Sequence, residues 1–388
     1  MKPDSQKRTI LFSGMVAADP YQGGATWAVL QYVLGLRQLG HDVYFVEPVK
    51  EKALRPAGVG FGETDNARYF RQVMQDFGLE GSAALLREGS KESIGLSYSD
   101  LLDAARRADL LFNVSGMLTD EAILGEISRR VYLDLDPAFI QLWHSVYDID
   151  MRFTAHTHFV SVGMALGTAS CPVPLCGLSW ITTPQPVVLA FWPRAEAIKY
   201  DGLTTIANWR GYGSVEFEGQ HYGQKAHSLR GFFPLPKMTR EKFLLALAIH
   251  PDEKPDVAAL ADNDWKLLDP AELANTPDNY RRFIQDSKAE FGLAKSGYVL
   301  SRCGWFSDRS CCYLASGRPV IAQETGFSDF FPVGQGLFSF RTSEDVLAAI
   351  ESLNRDYSGH ARAARDLAET YFDSNKVLAS LLERIEVA

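Results

Sequence analysis

The chain reads as an α/β protein of two facing domains, each a doubly wound parallel sheet, with a final helix that returns to the first domain. Its 388 residues exceed the roughly 250 to 300 at which a single hydrophobic core stops growing. Hydrophobic residues make up 46% of it, enough to bury two such cores. Short apolar runs alternate with amphipathic segments along the whole length, which is the rhythm of parallel strands joined by crossover helices.

The first unit sets the pattern. Residues 9–13 read as a strand, Gly23-Gly24 as a turn, 25–39 as a helix, Gly40 as its C-cap and 42–46 as the returning parallel strand. Helical patterns follow over 65–77, 101–108 and 120–127, with a strand before Ser115-Gly116 and another over 130–135 that delivers Asp134, Asp136 and Pro137 to its end. Residues 171–193 are rich in proline and apolar side chains, which suits a sheet edge and an interdomain crossover. A new unit begins with a strand over 203–208. Residues 243–249 are helix or strand, 264–268 a short strand and 277–287 a helix. Strand, helix, strand and helix then follow over 298–302, 308–316, 319–322 and 343–353, and a long helix over 361–385 is broken near Asp373. The expected domains are 1–195 on the acceptor side, 196–365 on the donor side and 366–388 as the helix crossing back.

Composition narrows the classes of function. With 39 basic and 48 acidic residues the formal charge is −9, from which no nucleic-acid or anionic-lipid partner is expected. No stretch approaches the ~18 apolar residues of a membrane span, and the opening MKPDSQKRTILFSG lacks a signal-peptide core, so a cytoplasmic protein is expected. A homodimer is compatible with this reading. Cys171, Cys176, Cys303, Cys311 and Cys312 are too few and too irregularly spaced for a disulfide framework or a zinc knot, and read as small buried hydrophobes.

Chemistry concentrates in residues 290–327, EFGLAKSGYVLSRCGWFSDRSCCYLASGRPVIAQETGF. A helix starting at Ser307 or Asp308 presents free N–H groups and the positive end of its dipole, which suits a diphosphate. Arg302 and Arg309 add forked donors that match phosphate oxygens. The loop Glu324-Thr325-Gly326 closes the segment.

The turn and strand Ala315-Ser316-Gly317-Arg318-Pro319-Val320, the Thr325-Gly326 loop, and the closing Tyr371-Phe372-Asp373 with Val377-Leu378 and Leu381-Leu382 resemble the donor half of GT-B glycosyltransferases, which have two facing Rossmann-like domains. Cys303-Gly304-Trp305-Phe306-Ser307 is similar to the His-Cys-Gly-Trp-Asn-Ser opening of a nucleotide-sugar box, with Arg302 in place of the phosphate-binding histidine and Phe306 in place of the asparagine. Cys312 stands where that family has its ribose-binding glutamate.

The resemblance implies a metal-independent glycosyltransferase that uses no cofactor. It would move a sugar from a UDP- or TDP-sugar donor to a small-molecule or glycan hydroxyl. The donor would lie on Arg302, Gly304, Trp305, Ser307, Asp308, Arg309, Glu324, Thr325 and Gly326, with Arg210 and Lys225 as further basic groups. Gly23 and Gly24 allow a ligand close to the backbone of the first domain. The general base is sought among His144, His156 and His158, the last coupled to Asp134. Asp134-Leu135-Asp136 is the nearest approach to a metal motif. A sugar-nucleotide epimerase and a silent nucleotide-binding partner are the competing readings.

Overall fold

The computed structural model describes residues 7–387; residues 1–6, which open the stretch read above for a signal peptide, lie outside it. Strands β1 (Thr9–Ser13), β2 (Asp42–Val49), β3 (Ala83–Arg87), β4 (Ser93–Gly95), β5 (Leu110–Val114), β6 (Arg130–Asp134), β7 (His158–Ser161) and β8 (Trp180–Thr182) form one sheet in the order β4-β3-β2-β1-β5-β6-β7-β8. All its neighbours are parallel except β3 and β4. Ile10, Leu11 and Phe12 of β1 are buried in succession, as a strand covered on both faces requires.

The second sheet is parallel throughout. It comprises β9 (Tyr200–Asn208), β12 (Phe243–Ala248), β13 (Lys266–Leu268), β14 (Ser287–Gly292), β15 (Val320–Gln323) and β16 (Leu337–Phe340), in the order β13-β12-β9-β14-β15-β16. Between β9 and β12 an antiparallel hairpin, β10 (Val215–Phe217) and β11 (Gln220–Tyr222), stands apart from both sheets.

Two local expectations are corrected. Residues 298–302 are not a strand: Ser296–Ser301 is a short helix and Arg302 turns out of it in the left-handed region, at φ 46°. The place next to β9 is taken by β14, in which Ser287, Lys288 and Glu290 leave no apolar run and so disguise it in the sequence. A short apolar run such as Tyr298-Val299-Leu300 carries no period that separates helix from strand. Gly23-Gly24, in turn, is the first step of helix α1 (Gly23–Gln38) and no turn before it.

Three further helices position the site: α2 (Pro277–Asp286), α3 (Asp308–Ala315) and α4 (Ser374–Val387). The chain reaches α4 through a π-helical turn over Ala368–Phe372, and the break falls at Asp373. There Val187 donates its N–H to the Phe372 carbonyl and Ser374 donates to that of Val187. Helix α4 then lies on α1, where Gly35 leaves room for Leu378 and Ser374.

The largest hydrophobic cluster runs without a break from the first sheet into the second unit. It includes Trp27 of α1, Trp192 of the crossover, Tyr280 and Ile284 of α2, Cys311 and Leu314 of α3 and Leu378 of α4. The Trp27 indole N–H donates to the Pro277 carbonyl at 2.8 Å, so α1 is anchored to both halves. Cys171, Cys303, Cys311 and Cys312 are buried and Cys176 is half-buried, all as free thiols.

Candidate active site

The carboxyl ends of the parallel strands open toward a cleft between the two sheets, the usual place for a ligand in such folds. It consists of two chambers. The larger, about 710 Å³, lies between the start of α1 (Tyr21, Gln22), the ends of β9 and β12 (Ile206, Ala248), the segment after β13 (Pro270, Asn275) and Tyr280. The smaller, about 430 Å³, is walled by Met15, Val29, Val114, Met117 and Leu135 of the first domain and by Lys295, Tyr298 and Trp305 of the second. Gly24, Ala25, Asn208, Lys225, Asp308 and Arg309 line both and form the waist that joins them.

The waist is cationic and underpartnered. Lys225 has no hydrogen bond or ion pair among the described residues. Burial holds its ammonium well below the ordinary lysine range, with Arg309 and Lys295 adding to the effect. Arg309 is anchored from below: Nε donates to Glu290 Oε1 at 2.6 Å and Nη1 to the Ile206 carbonyl at 3.0 Å. Its Nη2 and the Glu290 Oε2 have no partner among the described residues. Opposite stands the start of α1, where the Gly23 N–H donates to the Ala274 carbonyl but those of Gly24 and Ala25 have no acceptor among the described residues. Two helix N-termini, α1 and α3, and two cations therefore converge on one point.

Other residues singled out by the sequence act elsewhere. A side chain on Gly23 would collide with the Thr276 carbonyl, so this glycine serves the approach of the two domains. Gly304, at φ +74°, does the same against Ala165, and Ala165 donates its N–H to the Cys303 carbonyl at 2.9 Å. Trp305 stacks on Tyr298 with ring centroids 4.3 Å apart, and with Ser307 it walls the smaller chamber. The Glu324 carboxylate accepts the Gly326 N–H, Thr325 donates its hydroxyl to the Trp305 carbonyl and accepts at its own carbonyl from Gly304, so this loop props the turn from behind. Arg302 lies outside both chambers, half exposed, with its guanidinium 4.0 Å from Asp329. Arg210 is paired with Glu253 on the surface.

The histidines line neither chamber. His156 is buried between Asn113 and the Arg152 carbonyl, and burial pushes its pKa down to about 4. His144 sits against the Ile149 carbonyl. The His158–Asp134 couple does not form. In the β6–β7 register His158 pairs with Val131 and Asp134 with Ser161, so the two stand at opposite ends of the strands. Asp134 is fully buried, held by Gln141, Ser161 and the Asp136 N–H, and burial raises it to about 7.

Solved structures of the same architecture cover almost the whole chain. An alpha-glucosyltransferase in complex with UDP-glucose and DNA containing an abasic site matches with TM-score 0.60 and 12% identity over 97% of this chain and 98% of that one. Anabaena HepE in complex with UDP-glucose matches with TM-score 0.60 and 12% identity over 98% and 99%. A glycosyltransferase from Rickettsia africae matches with TM-score 0.53 and 12% identity over 98% of both chains. The fold is GT-B. No family profile and no curated protein sequence matches the chain.

The expectation that excluded nucleic acid is corrected by these matches. Alpha-glucosyltransferases of this fold are solved with DNA bearing an abasic site, an A:G mismatch or an HMU base. A net charge is a sum over the whole surface and does not describe the rim of one cleft, so −9 excludes no such partner.

The GT-B cleft also holds groups that no local motif announced. Asp136, just past β6, accepts hydrogen bonds from Tyr212, Tyr298 and Lys295, the last at 3.0 Å. The Lys295 ammonium lies over the Tyr212 ring, 3.7 Å from its centroid. Burial works to raise the Asp136 pKa, but Lys295 and the two phenols outweigh it and hold the carboxyl below its ordinary range. This cluster bridges the domains across the smaller chamber. The sequence signals were the position of Asp136 beyond a strand end and its place in Asp134-Leu135-Asp136. Among the described residues no group of three or more His, Cys, Asp or Glu side chains is placed to hold a metal ion, and no helix is long and apolar enough to cross a membrane.

Proposed function

We propose that this protein transfers a sugar from a UDP-sugar donor to an acceptor hydroxyl, with the nucleoside in the larger chamber, the diphosphate at the waist and the acceptor in the smaller chamber. The observation that carries this reading is the pair Lys225 and Arg309, set against the free N–H groups of Gly24 and Ala25. UDP or UDP-glucose occupies several of the matched GT-B structures, which supports uridine as the base.

As the bond from the anomeric carbon to the diphosphate breaks, negative charge grows on the leaving oxygens. Preorganised donors in a water-poor waist stabilise that charge more than they stabilise the ground state. A bound diphosphate favours the ammonium of Lys225, which burial and the neighbouring Arg309 and Lys295 disfavour. The acceptor oxygen forms the new bond to the anomeric carbon, and its proton leaves with UDP or to water.

The test is product analysis by mass spectrometry with UDP-glucose and other UDP-sugars, offered with sugars, aromatic alcohols and duplex DNA carrying hydroxylated bases, in excess chelator. The expected result is UDP release matched by a glycosylated acceptor. An epimerised donor, or nucleotide binding without turnover on any acceptor, overturns the transferase reading. Turnover abolished by chelator and restored by Mn²⁺ or Mg²⁺ overturns its metal-independent form.

A further inference from the structure

We propose that the smaller chamber takes a flat, apolar alcohol as acceptor, a phenol or a similar ring with few hydroxyls, and that Asp136 and Gln185 read its polar groups; the inference rests on the sugar-transfer reading above. The first domain builds its side of this chamber from Met15, Val29, Val114, Met117 and Leu135. Trp305, stacked on Tyr298, walls the second-domain side, so an aliphatic surface is set against an aromatic one. A flat apolar ring suits both. A free sugar carries hydroxyls around its whole rim, and those turned to the aliphatic wall lose water with no partner in exchange.

The polar side chains that the first domain adds to the chamber are Ser115, Asp136 and Gln185. Asp136 Oδ1 takes the hydrogen bonds from Tyr212, Tyr298 and Lys295, while Oδ2 has no partner among the described residues. Those three donors hold the carboxyl below its ordinary range, so it stays ionised and its second oxygen is a pure acceptor, the partner that an alcohol O–H requires. Gln185 is 6% exposed, yet its amide makes no hydrogen bond to any described residue. A buried amide normally finds partners. Here the open direction is the chamber, to which Gln185 offers both a donor and an acceptor for a second polar group on the ring.

Initial rates of the full chain with a UDP-sugar, read by product mass spectrometry, compare phenol, para-ethylphenol and para-hydroxyacetophenone with glucose, maltose and duplex DNA carrying hydroxymethylated bases. UDP calorimetry and thermal melts run alongside. Two or more stranded hydroxyls on a sugar predict that kcat/KM for the phenols exceeds that for the sugars by at least about 100-fold. Asp136→Asn should lower kcat/KM for every phenol by about 10- to 100-fold with UDP affinity retained, as loss of a hydrogen bond to a charged group predicts. Gln185→Leu should narrow any advantage of hydroxyacetophenone over ethylphenol by about tenfold, and Val114→Thr, which sets a hydroxyl on the aliphatic wall, should narrow the preference for phenols over sugars by a similar factor. Sugars or hydroxymethylated DNA glycosylated as fast as the phenols overturn the inference and leave the transferase standing. Parental phenol kinetics in Asp136→Asn, or a fall in melting temperature and UDP affinity in place of the kinetic loss, make Asp136 a strut between the domains and overturn its role here. An unchanged advantage in Gln185→Leu overturns the role of Gln185. Absence of UDP binding to wild type, or of product from every acceptor, refutes the sugar-transfer reading itself, a result that a wrong acceptor class does not produce.

Discussion

The two walls of the cleft are made from different materials. Toward the waist the first domain presents Met15, Val29, Val114 and Leu135 with the bare backbone of Gly24 and Ala25, while the second presents Lys225, Asp308 and Arg309. One wall thus supplies shape and fixed N–H dipoles that need no counter-charge when empty. The other supplies whole charges, which are costly to bury without a partner. The second domain answers that cost in two ways, anchoring Arg309 on Glu290 and leaving Lys225 in a depressed, unpaired state. The comparison teaches that one arginine is tied into the fold, whereas the lysine beside it has no side-chain partner among the described residues and is left, on the proposed reading, to the ligand.

Arg309→Ala is the most damaging way to break this division. It strands the fully buried Glu290 carboxylate, for which a loss of about 3 to 5 kcal/mol in stability is expected. Calorimetric melting checks it, and the double variant Glu290→Gln with Arg309→Met should recover much of the stability without recovering UDP binding.

Lys225→Ala should behave in the opposite sense. Removing a contact made to developing charge lowers kcat/KM by roughly 30- to 1000-fold, about 2 to 4 kcal/mol, while the melting temperature stays level or rises because an unpaired buried cation is gone. A large fall in melting temperature with parental kinetics would reverse the assignment.

On the first-domain wall the charge is hidden. Glu47 lies behind the loop after β1, accepting the N–H groups of Ala17 and Ala18 at 2.6 to 2.9 Å, and burial raises its pKa from 4.5 to about 7. Between those two values the folded state binds more protons than the unfolded one, so stability should fall as pH rises from about 4.5 to 7 and then level off. Melts of wild type and Glu47→Gln across this window measure it. The variant should show a shallower slope, with Asp134, raised in the same way, supplying the remainder.

Arg302→Ala sets the lower end of the scale. Its ion pair with Asp329 is exposed and 4.0 Å long, so a change below about 0.5 kcal/mol in stability and about twofold in kcat/KM is expected. A hundredfold kinetic loss there would move the diphosphate site out of the waist.

Much of this protein was legible in its sequence because the deciding forces are local. Apolar runs of five or so residues, Gly40 at a helix end and Asp308 at a helix start report on the backbone within a few residues of themselves, and they yielded two parallel α/β units, the break at Asp373, the helix at the waist and the candidacy of Arg309, while Lys225 became a candidate only through the family resemblance. Arg302 and Arg309, seven residues apart in the same motif, show where that legibility ends. Only the insertion of β14 beside β9 brings Glu290 under Arg309 and turns Arg302 outward. The histidines failed for the same reason, since a residue type carries its chemistry but not the end of the strand from which it points. Asp136, Tyr212, Lys295 and Tyr298 meet from three distant segments across the domain boundary. No local spacing encodes such a meeting, because it depends on how the two sheets and the helix between them close on one shared core.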